Sequence, residues 1–268
     1  MVLSPRLRWT LRILTILGLA FLYIPLLLVI VNAFNSSRTF AFPPSGFTLR
    51  WWSDTWHSSG ARTALWTSVK AGLGATAIAL VLGTCAAFAV QRYKFFGRST
   101  VSFLVILPIA LPGIVTGIAL NAAFRNEFGD NGFGLRTIII GHATFCVVIV
   151  FNNVQARLRR MGGALEEASR DLGATGLQTF RYVTLPNLRG ALLAGALLAF
   201  GLSFDEIVVT TFTSGPGTQT LPLWIFGNLF RPNQAPVVNV VAAVLIVVAV
   251  VPVWVAQKVS DGAEQSRF

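Results

Sequence analysis

Six long apolar runs constrain this chain more than any other feature of its sequence. They lie at about residues 13–33, 64–90, 100–123, 137–155, 190–212 and 237–257. A helix needs about 20 mainly apolar residues to cross the hydrocarbon core of a bilayer, and each run is long enough. A charged fraction of only 12% and a mean hydropathy of +0.68 agree with burial in lipid. The sequence therefore predicts an all-α membrane protein with six transmembrane helices, forming a single domain over residues 1–268.

The first apolar run follows Arg6, Arg8 and Arg12, as the core of a secretory signal would. The hydrophobic region of a secretory signal has about 7–15 residues, and the apolar stretch from Ile13 to Val31 is longer. No clear small-residue cleavage site follows it. We therefore predict a retained transmembrane helix.

The distribution of basic residues predicts the orientation in the membrane. If the N-terminus is inside, most of the 21 Lys and Arg residues fall in cytoplasmic segments, as the positive-inside rule requires. Both termini are then cytoplasmic. The net charge of +11 is concentrated at the inner ends of the apolar runs, where it meets anionic lipid headgroups. This placement favours a lipid bilayer as the partner and argues against nucleic acid.

Prolines and small residues mark places where the runs bend or pack. Pro108, Pro112 and Gly113 predict a kinked or broken third helix. Small residues recur every four positions from Ala71 to Ala87 and from Ala191 to Ser203, which allows close helix packing, either within one bundle or between subunits. Three polar residues lie in the fourth run: His142, Asn152 and Asn153. We expect each of them to hydrogen-bond another helix. Two histidines and two cysteines scattered over the chain do not predict a metal site.

A polar segment, at about residues 156–189, separates the fourth and fifth runs, and its centre at 166–186 reads EEASRDLGATGLQTFRYVTLP. Gly173 can adopt a positive φ, so it can end one short helix and let another start at a new angle. Pro186 lacks an N–H, which favours a break just before the next span begins near Gly190. The segment predicts a helix–turn–helix elbow, with an ordinary solvated loop as the alternative.

The spacing in this segment resembles the EAA loop of ABC-transporter permeases. In that pattern Glu-Ala-Ala is followed at fixed offsets by a glycine, an aliphatic residue and Leu-Pro. The matching positions, with Ser169 in place of the second alanine, are Glu167, Ala168, Gly173, Val183, Leu185 and Pro186. Further segments at 23–37, 42–52, 142–153 and 203–216 are similar to the C-type permease subunit of spermidine/putrescine importers.

This resemblance implies a type I ABC importer permease with the MetI-like fold, in the inner membrane of a bacterium. It also implies three kinds of protein partner: a homologous second permease, two ATP-binding ATPase subunits, and a periplasmic or lipid-anchored substrate-binding protein. The loop would be cytoplasmic and couple to the ATPases. The expected coupling residues are Glu166, Glu167, Ala168, Ser169, Asp171, Gly173, Leu185 and Pro186.

No phosphate loop of the type G-x-x-x-x-G-K-[ST] occurs in the chain. We therefore expect ATP and Mg²⁺ to bind to the partner ATPases, and we expect no cofactor and no catalytic residue in this chain. A membrane-embedded enzyme would also need a nucleophile beside a base, and the apolar runs show no such set. A non-transporting scaffold would explain the small-residue faces but not the spacing of the EAA-like loop.

Asp205 and Glu206 are adjacent acids inside the fifth run. A carboxylate at the centre of a membrane helix costs about 2.5–3.5 kcal/mol on insertion scales, so the pair implies partners, a wet cavity or protonation. On a continuous helix Glu206 would share the small-residue face from Ala191 to Ser203, and Asp205 would point about 100° away. We expect the pair to line a substrate path. The alternative is a structural ion pair or hydrogen bond to another helix.

Carboxylates in a passage of low dielectric constant attract a cation more strongly than they would in water. The resemblance implies an importer that works by ATP-driven alternating access, and the acidic pair agrees with a polyamine, such as putrescine or spermidine, as the expected cargo. Another small organic solute or a metal complex is the alternative cargo.

Overall fold

The computed structural model describes residues 4–231 and 234–249. Within these residues the only extended pairing is an isolated bridge between Asn35 and Phe47, and nearly all other regular structure is helical. The chain divides into two compact units, one formed from Met1–Arg62 with Ile225–Phe268 and the other from Thr63–Trp224. The single domain over residues 1–268 stays a prediction.

The helices follow one another along the chain with short connections. A 3₁₀ turn at Asp130–Gly132 precedes the sixth helix, and a π-helical turn at Phe180–Thr184 joins the eighth to the ninth. The helices are α1 (Pro5–Asn32), α2 (Arg50–His57), α3 (Ser59–Arg92), α4 (Arg98–Ala110), α5 (Gly113–Phe128), α6 (Leu135–Met161), α7 (Ala164–Asp171), α8 (Gly176–Thr179), α9 (Leu185–Phe204), α10 (Val208–Thr213), α11 (Leu221–Leu229) and α12 (Ala235–Ala249).

The predicted apolar runs correspond to these helices. Four stretches within the described residues are long and apolar enough to cross a membrane: α1, α3, α6 and the continuous helix Gly176–Phe204. The pair α4 and α5 passes the same test as one broken span, bent by 104°. The shorter α12 contains the start of the sixth run, whose remainder lies outside the described residues. The all-α membrane architecture is confirmed, and six spans agree approximately.

The bend between α4 and α5 lies at Leu111, which is extended (φ −81°, ψ 143°) and precedes Pro112. The ring of a proline clashes with a helical conformation of the residue before it. Pro108, by contrast, is accommodated inside α4. The predicted break in the third run is therefore confirmed, and Pro112 rather than Pro108 sets its position.

Helix α6 is the central element of the unit Thr63–Trp224. The small-residue face of α3 packs against it: a Cβ built on Gly83 would come within 2.8 Å of the Val147 carbonyl oxygen. The small-residue face of α9 packs against it too, and a Cβ on Gly195 would lie 3.4 Å from the Val150 Cα. Small side chains thus let the two helices approach α6 closely. Both faces are used inside this bundle.

In the other unit, the chain after α1 is organised around Asn35, which is 1% exposed. Its side chain hydrogen-bonds the backbone of Ala41, Ser37 and Ser45. The Trp51 indole N–H donates to the Asn35 carbonyl at 2.8 Å. A short polar network thereby orders the aromatic segment that leads into α2.

Candidate functional site

The elbow consists of α7, the turn at residues 172–175 and α8. Gly173 has φ +85°. Its N–H donates to the Arg170 carbonyl at 2.8 Å, and the next N–H, of Ala174, reaches back to the Ser169 carbonyl at 3.1 Å. These two bonds form a Schellman motif, which requires a left-handed residue where Gly173 stands. The predicted positive φ at Gly173 is confirmed.

The second arm of the elbow begins with a capping box. Thr175 is the N-cap of α8, and its hydroxyl accepts from the Gln178 N–H at 3.4 Å while the Gln178 side chain accepts from the Thr175 N–H at 2.8 Å. This reciprocal pair satisfies two N–H groups that the helix start would otherwise leave free. The segment is therefore a helix–turn–helix elbow, as predicted.

The predicted break at Pro186 is wrong. The helix runs without interruption from Gly176 to Phe204. The π-helical turn Phe180–Thr184 precedes the proline, and the Leu185 N–H donates to the Phe180 carbonyl, five residues earlier. A π turn widens the helix by one residue and shifts the hydrogen-bond register. This shift accommodates a residue that has no N–H, so the elbow's second arm and α9 form one helix.

A buried carboxylate fixes the elbow to the end of α3. Glu166 is 6% exposed, and its Oε2 lies 2.9 Å from Nε of Arg92. The same guanidinium donates to the Gly162 carbonyl at 2.6 Å, and the Thr184 hydroxyl donates to Glu166 Oε1 at 3.1 Å. One acid thus joins α3, α7 and the π-helical turn. We call this set, Arg92, Glu166 and Thr184, the elbow clamp.

Arg92 is not among the predicted coupling residues, because in the sequence it is only one of the basic residues at the inner end of an apolar run. It lies 74 residues from Glu166, and no local pattern connects positions so far apart. Two observations together, a basic residue at the last turn of one span and an extra acid immediately before the Glu-Ala pair, are the signal available in the sequence.

The predicted coupling residues divide into two groups. Glu166, Ser169 and Gly173 shape the elbow, since the Ser169 hydroxyl lies 3.1 Å from that of Thr179 and the other two act as described above. The remaining coupling residues are exposed: Glu167, Ala168, Asp171, Leu185 and Pro186. Large apolar side chains stand beside them, with Leu172 90% and Leu177 76% exposed. Such a mixture of exposed apolar and charged groups is typical of an interaction surface.

The fifth run is broken at the acidic pair. Helix α9 ends at Phe204, and α10 begins at Val208. The predicted helical faces of the two acids are therefore wrong, because no continuous helix carries them. Glu206 instead caps α10: its Oε1 accepts from the Val209 N–H at 2.8 Å. A carboxylate at a helix N-terminus interacts favourably with the free N–H groups there.

Asp205 differs from its neighbour. It is exposed, and only its backbone N–H is bonded, to the Gly201 carbonyl at 3.2 Å. Its carboxylate has no hydrogen-bond or ion-pair partner among residues 4–231 and 234–249. The structure therefore leaves one acid of the pair free and uses the other in local structure.

His142 bridges the two sides of this break. The residue is fully buried on α6, with Nδ1 lying 2.7 Å from the Ser203 hydroxyl and Nε2 lying 2.8 Å from the Thr210 hydroxyl. The predicted interhelical hydrogen bonds are thus confirmed for His142. The prediction is wrong for Asn153, whose amide donates to the Ile149 carbonyl of its own helix. Asn152 is exposed and has no interhelical partner in the described part of the chain.

Comparison with known proteins gives the family. Residues 79–261 match the family described as binding-protein-dependent transport system inner membrane component. The chain is 33% identical over 265 residues to the putrescine transport system permease protein PotI of Escherichia coli (strain K12), covering 97% of this chain and 93% of that protein. It is 34% identical over 241 residues to the spermidine/putrescine transport system permease protein PotC of the same strain, covering 90% of each.

The chain is also similar to a permease named for another solute and to a solved transporter structure. The putative 2-aminoethylphosphonate transport system permease protein PhnV of Salmonella typhi is 30% identical, covering 82% of this chain and 83% of that protein. A crystal structure of a bacterial ABC transporter involved in the import of the acidic polysaccharide alginate superposes with a TM-score of 0.70 at 18% identity, covering 96% of this chain and 99% of that one. The latter shows the MetI-like permease fold. The chain belongs to the family of binding-protein-dependent transport system inner membrane components and is a permease subunit of an ABC importer.

Proposed function

We propose that this permease imports a polyamine, such as putrescine or spermidine, by alternating access driven by ATP hydrolysis on its partner subunits. The observation that carries the proposal is the free Asp205 carboxylate at the break in the fifth span. A carboxylate without a partner in a passage of low dielectric constant attracts an ammonium group more strongly than it would in water. The similarity to permeases named for putrescine and spermidine supports the same cargo.

In this proposal the elbow is the coupling element. Its exposed charged and apolar residues dock on an ATPase subunit, and the elbow clamp carries the resulting displacement to α3 as well as to α6 and α9. The assembly contains a homologous second permease, two ATPase subunits that hold ATP and Mg²⁺, and a periplasmic or lipid-anchored substrate-binding protein. This chain binds no nucleotide itself.

Uptake by the assembled importer tests the cargo. The permease would be co-expressed with its partner permease, ATPase and binding protein and reconstituted in proteoliposomes. We expect ATP-dependent uptake of radiolabelled putrescine or spermidine that falls when Asp205 is replaced by Asn, with complex yield unchanged. Absence of uptake for both polyamines in an assembled, ATP-hydrolysing complex would overturn the assignment.

A small organic solute of another kind is the second candidate, favoured by the similarity to the permease named for 2-aminoethylphosphonate. That compound carries one amino group and one phosphonate. Competition against labelled putrescine separates the two candidates, because a path selective for polycations is not blocked by equimolar 2-aminoethylphosphonate.

The orientation is part of the proposal and has its own test. Single cysteines at Ser45 and Gly217, in a background without Cys85 and Cys146, should react with a membrane-impermeant thiol reagent in spheroplasts. A cysteine at Thr175, in the elbow, should stay unlabelled until the membrane is permeabilised. Labelling of Thr175 from outside would invert the topology.

A further inference from the structure

We propose that His142 is a positioning residue that holds the break in the fifth span and so fixes where the Asp205 carboxylate stands. The inference rests on the proposed function only in giving Asp205 the role of contacting cargo. The geometry of the break itself is independent of what the cargo is.

The imidazole contacts one hydroxyl on each side of the break. Ser203 stands two residues before Asp205 on α9, and Thr210 stands four residues after Glu206 on α10. The three side chains are 0%, 1% and 0% exposed for His142, Ser203 and Thr210. One rigid ring therefore sets the distance between the last turn of α9 and the first turns of α10.

Each helix end is also anchored separately. The Asn121 amide of α5 donates to the Phe212 carbonyl at 2.6 Å, and the Thr137 hydroxyl of α6 donates to the Thr213 carbonyl at 2.7 Å. On α9, the Cys146 thiol of α6 lies 3.3 Å from the Ala199 carbonyl. The contacts to α10 hold its far end, and the Cys146 contact holds α9 about one turn before Ser203. Among the residues that the structure describes, the His142 ring hydrogen-bonds a side chain on each side of the break.

The hydrogen bonds of His142 with Ser203 and Thr210 depend on one another. A buried polar group that loses its partner in an apolar interior is penalised strongly. Removing the imidazole leaves the Ser203 hydroxyl without its partner and leaves the Thr210 hydroxyl with only its bond to the Glu206 carbonyl. Removing one hydroxyl leaves one ring nitrogen unsatisfied. Either change removes the side-chain link between α9 and α10 across the segment 205–207, which carries the free carboxylate.

The first test measures uptake kinetics with putrescine in the reconstituted importer. The variants His142→Leu, Ser203→Ala and Thr210→Val each break the bridge, and we expect each to raise KM by about three- to tenfold, as expected for loss of a buried hydrogen bond. His142→Gln keeps one donor and one acceptor and should recover most of the wild-type KM. The matched control is Thr213→Val, because that buried hydroxyl bonds only the Val209 carbonyl of its own helix.

The second test does not depend on the cargo. Asp205→Cys is introduced into a background without the exposed Cys85, and Cys146 is kept because it is fully buried and contacts the Ala199 carbonyl. The rate at which the new thiol reacts with a cationic methanethiosulfonate reagent is measured in the purified complex. We expect His142→Leu to change that rate by about threefold or more, on the scale of one buried hydrogen bond, and Thr213→Val to leave it within experimental error.

The outcomes are distinguishable. If wild-type protein takes up no putrescine but the thiol rate responds to His142→Leu, the cargo assignment fails and the positioning role stands. If KM and thiol rate are unchanged in well-folded variants, or if only yield falls, His142 is merely structural and the inference is overturned. Should His142→Leu not assemble, Ser203→Ala and Thr210→Val decide the question by the same two measurements.

Discussion

The elbow and the break in the fifth span are two interruptions of helical structure that are held in different ways. The elbow clamp is ionic, since Arg92 and Glu166 pair across two elements. At the break, an imidazole and two hydroxyls join the neighbouring helices by neutral hydrogen bonds. Charged groups are tolerated at the ends of spans, where long basic side chains reach the interface, but are costly among apolar helices. Each region therefore uses the polar chemistry that its surroundings permit.

The two regions also differ in what they leave free. The elbow exposes a broad surface in which Leu172, Leu177 and Tyr182 lie beside acids. The break buries its polar groups and exposes one carboxylate, Asp205. A broad mixed surface suits docking of another protein, whereas one free acid suits contact with a small cation. Substitutions that change one region while leaving the other intact test this difference.

The largest effect is expected from Arg92→Leu. It leaves the buried Glu166 carboxylate without its counterion, and breaking a buried pair from one side costs about 3–5 kcal/mol. We expect substrate-stimulated ATP hydrolysis and uptake to be lost while the spans still insert. ATPase assays of the purified complex measure this.

The double variant Arg92→Leu with Glu166→Leu should recover part of the lost activity, because replacing both charges by apolar groups is far less costly than orphaning one. Lys94→Leu is the control, since Lys94 is exposed two residues further along. If the double variant is no better than Arg92→Leu, the pair does not hold the elbow.

Gly173→Val comes next. A β-branched residue at φ +85° is strained by more than the approximately 1 kcal/mol that separates glycine from alanine in an ordinary helix. We expect weaker ATPase binding and a sharp fall in uptake, measured by co-purification and transport. Gly190→Ala is the matched control, because a Cβ there meets no atom within 4 Å and Gly190 does not have a positive φ. Full ATP hydrolysis and uptake by a normally expressed Gly173→Val protein would contradict the coupling role.

Asp205→Asn should lower polyamine uptake by about tenfold, which corresponds to loss of roughly 1.4 kcal/mol of attraction. Subunit recovery should not change, because the Asp205 side chain has no partner among the described residues. Radiolabelled uptake and complex yield are measured together. Wild-type uptake would leave the polyamine assignment resting on similarity alone.

The smallest effect is expected from Glu206→Gln. The amide oxygen can still accept from the Val209 N–H, so only the charge at the start of α10 is lost, worth about 0.3–1 kcal/mol. We expect a slightly lower melting temperature of the complex and near-normal uptake. A loss of uptake as large as that of Asp205→Asn would assign both acids to the path.

Local patterns explain what could be predicted from the sequence. The elbow follows from Gly173 and its neighbours, and the third run breaks because of a proline and its preceding residue. The prediction of a break at Pro186 is wrong because the π-helical turn that ends two residues before it shifts the hydrogen-bond register. Single-residue propensities do not predict such a turn. The helical faces of Asp205 and Glu206 failed because the break sits at the acids themselves. His142 was predicted to bond another helix, but its partners, 61 and 68 residues away, follow only from the tertiary fold.

The uninterrupted helix from Gly176 to Phe204 has a mechanical consequence. Its 29 residues, at about 1.5 Å each, form a rod roughly 44 Å long. The elbow is at one end of this rod and the residue before Asp205 is at the other. A tilt of about 5° around the elbow end displaces the far end by about 4 Å, the scale of one hydrogen-bonded contact made or lost. If the elbow couples to an ATPase as proposed, a small displacement there would become a larger displacement beside the Asp205 carboxylate, because the π-helical turn keeps the helix continuous.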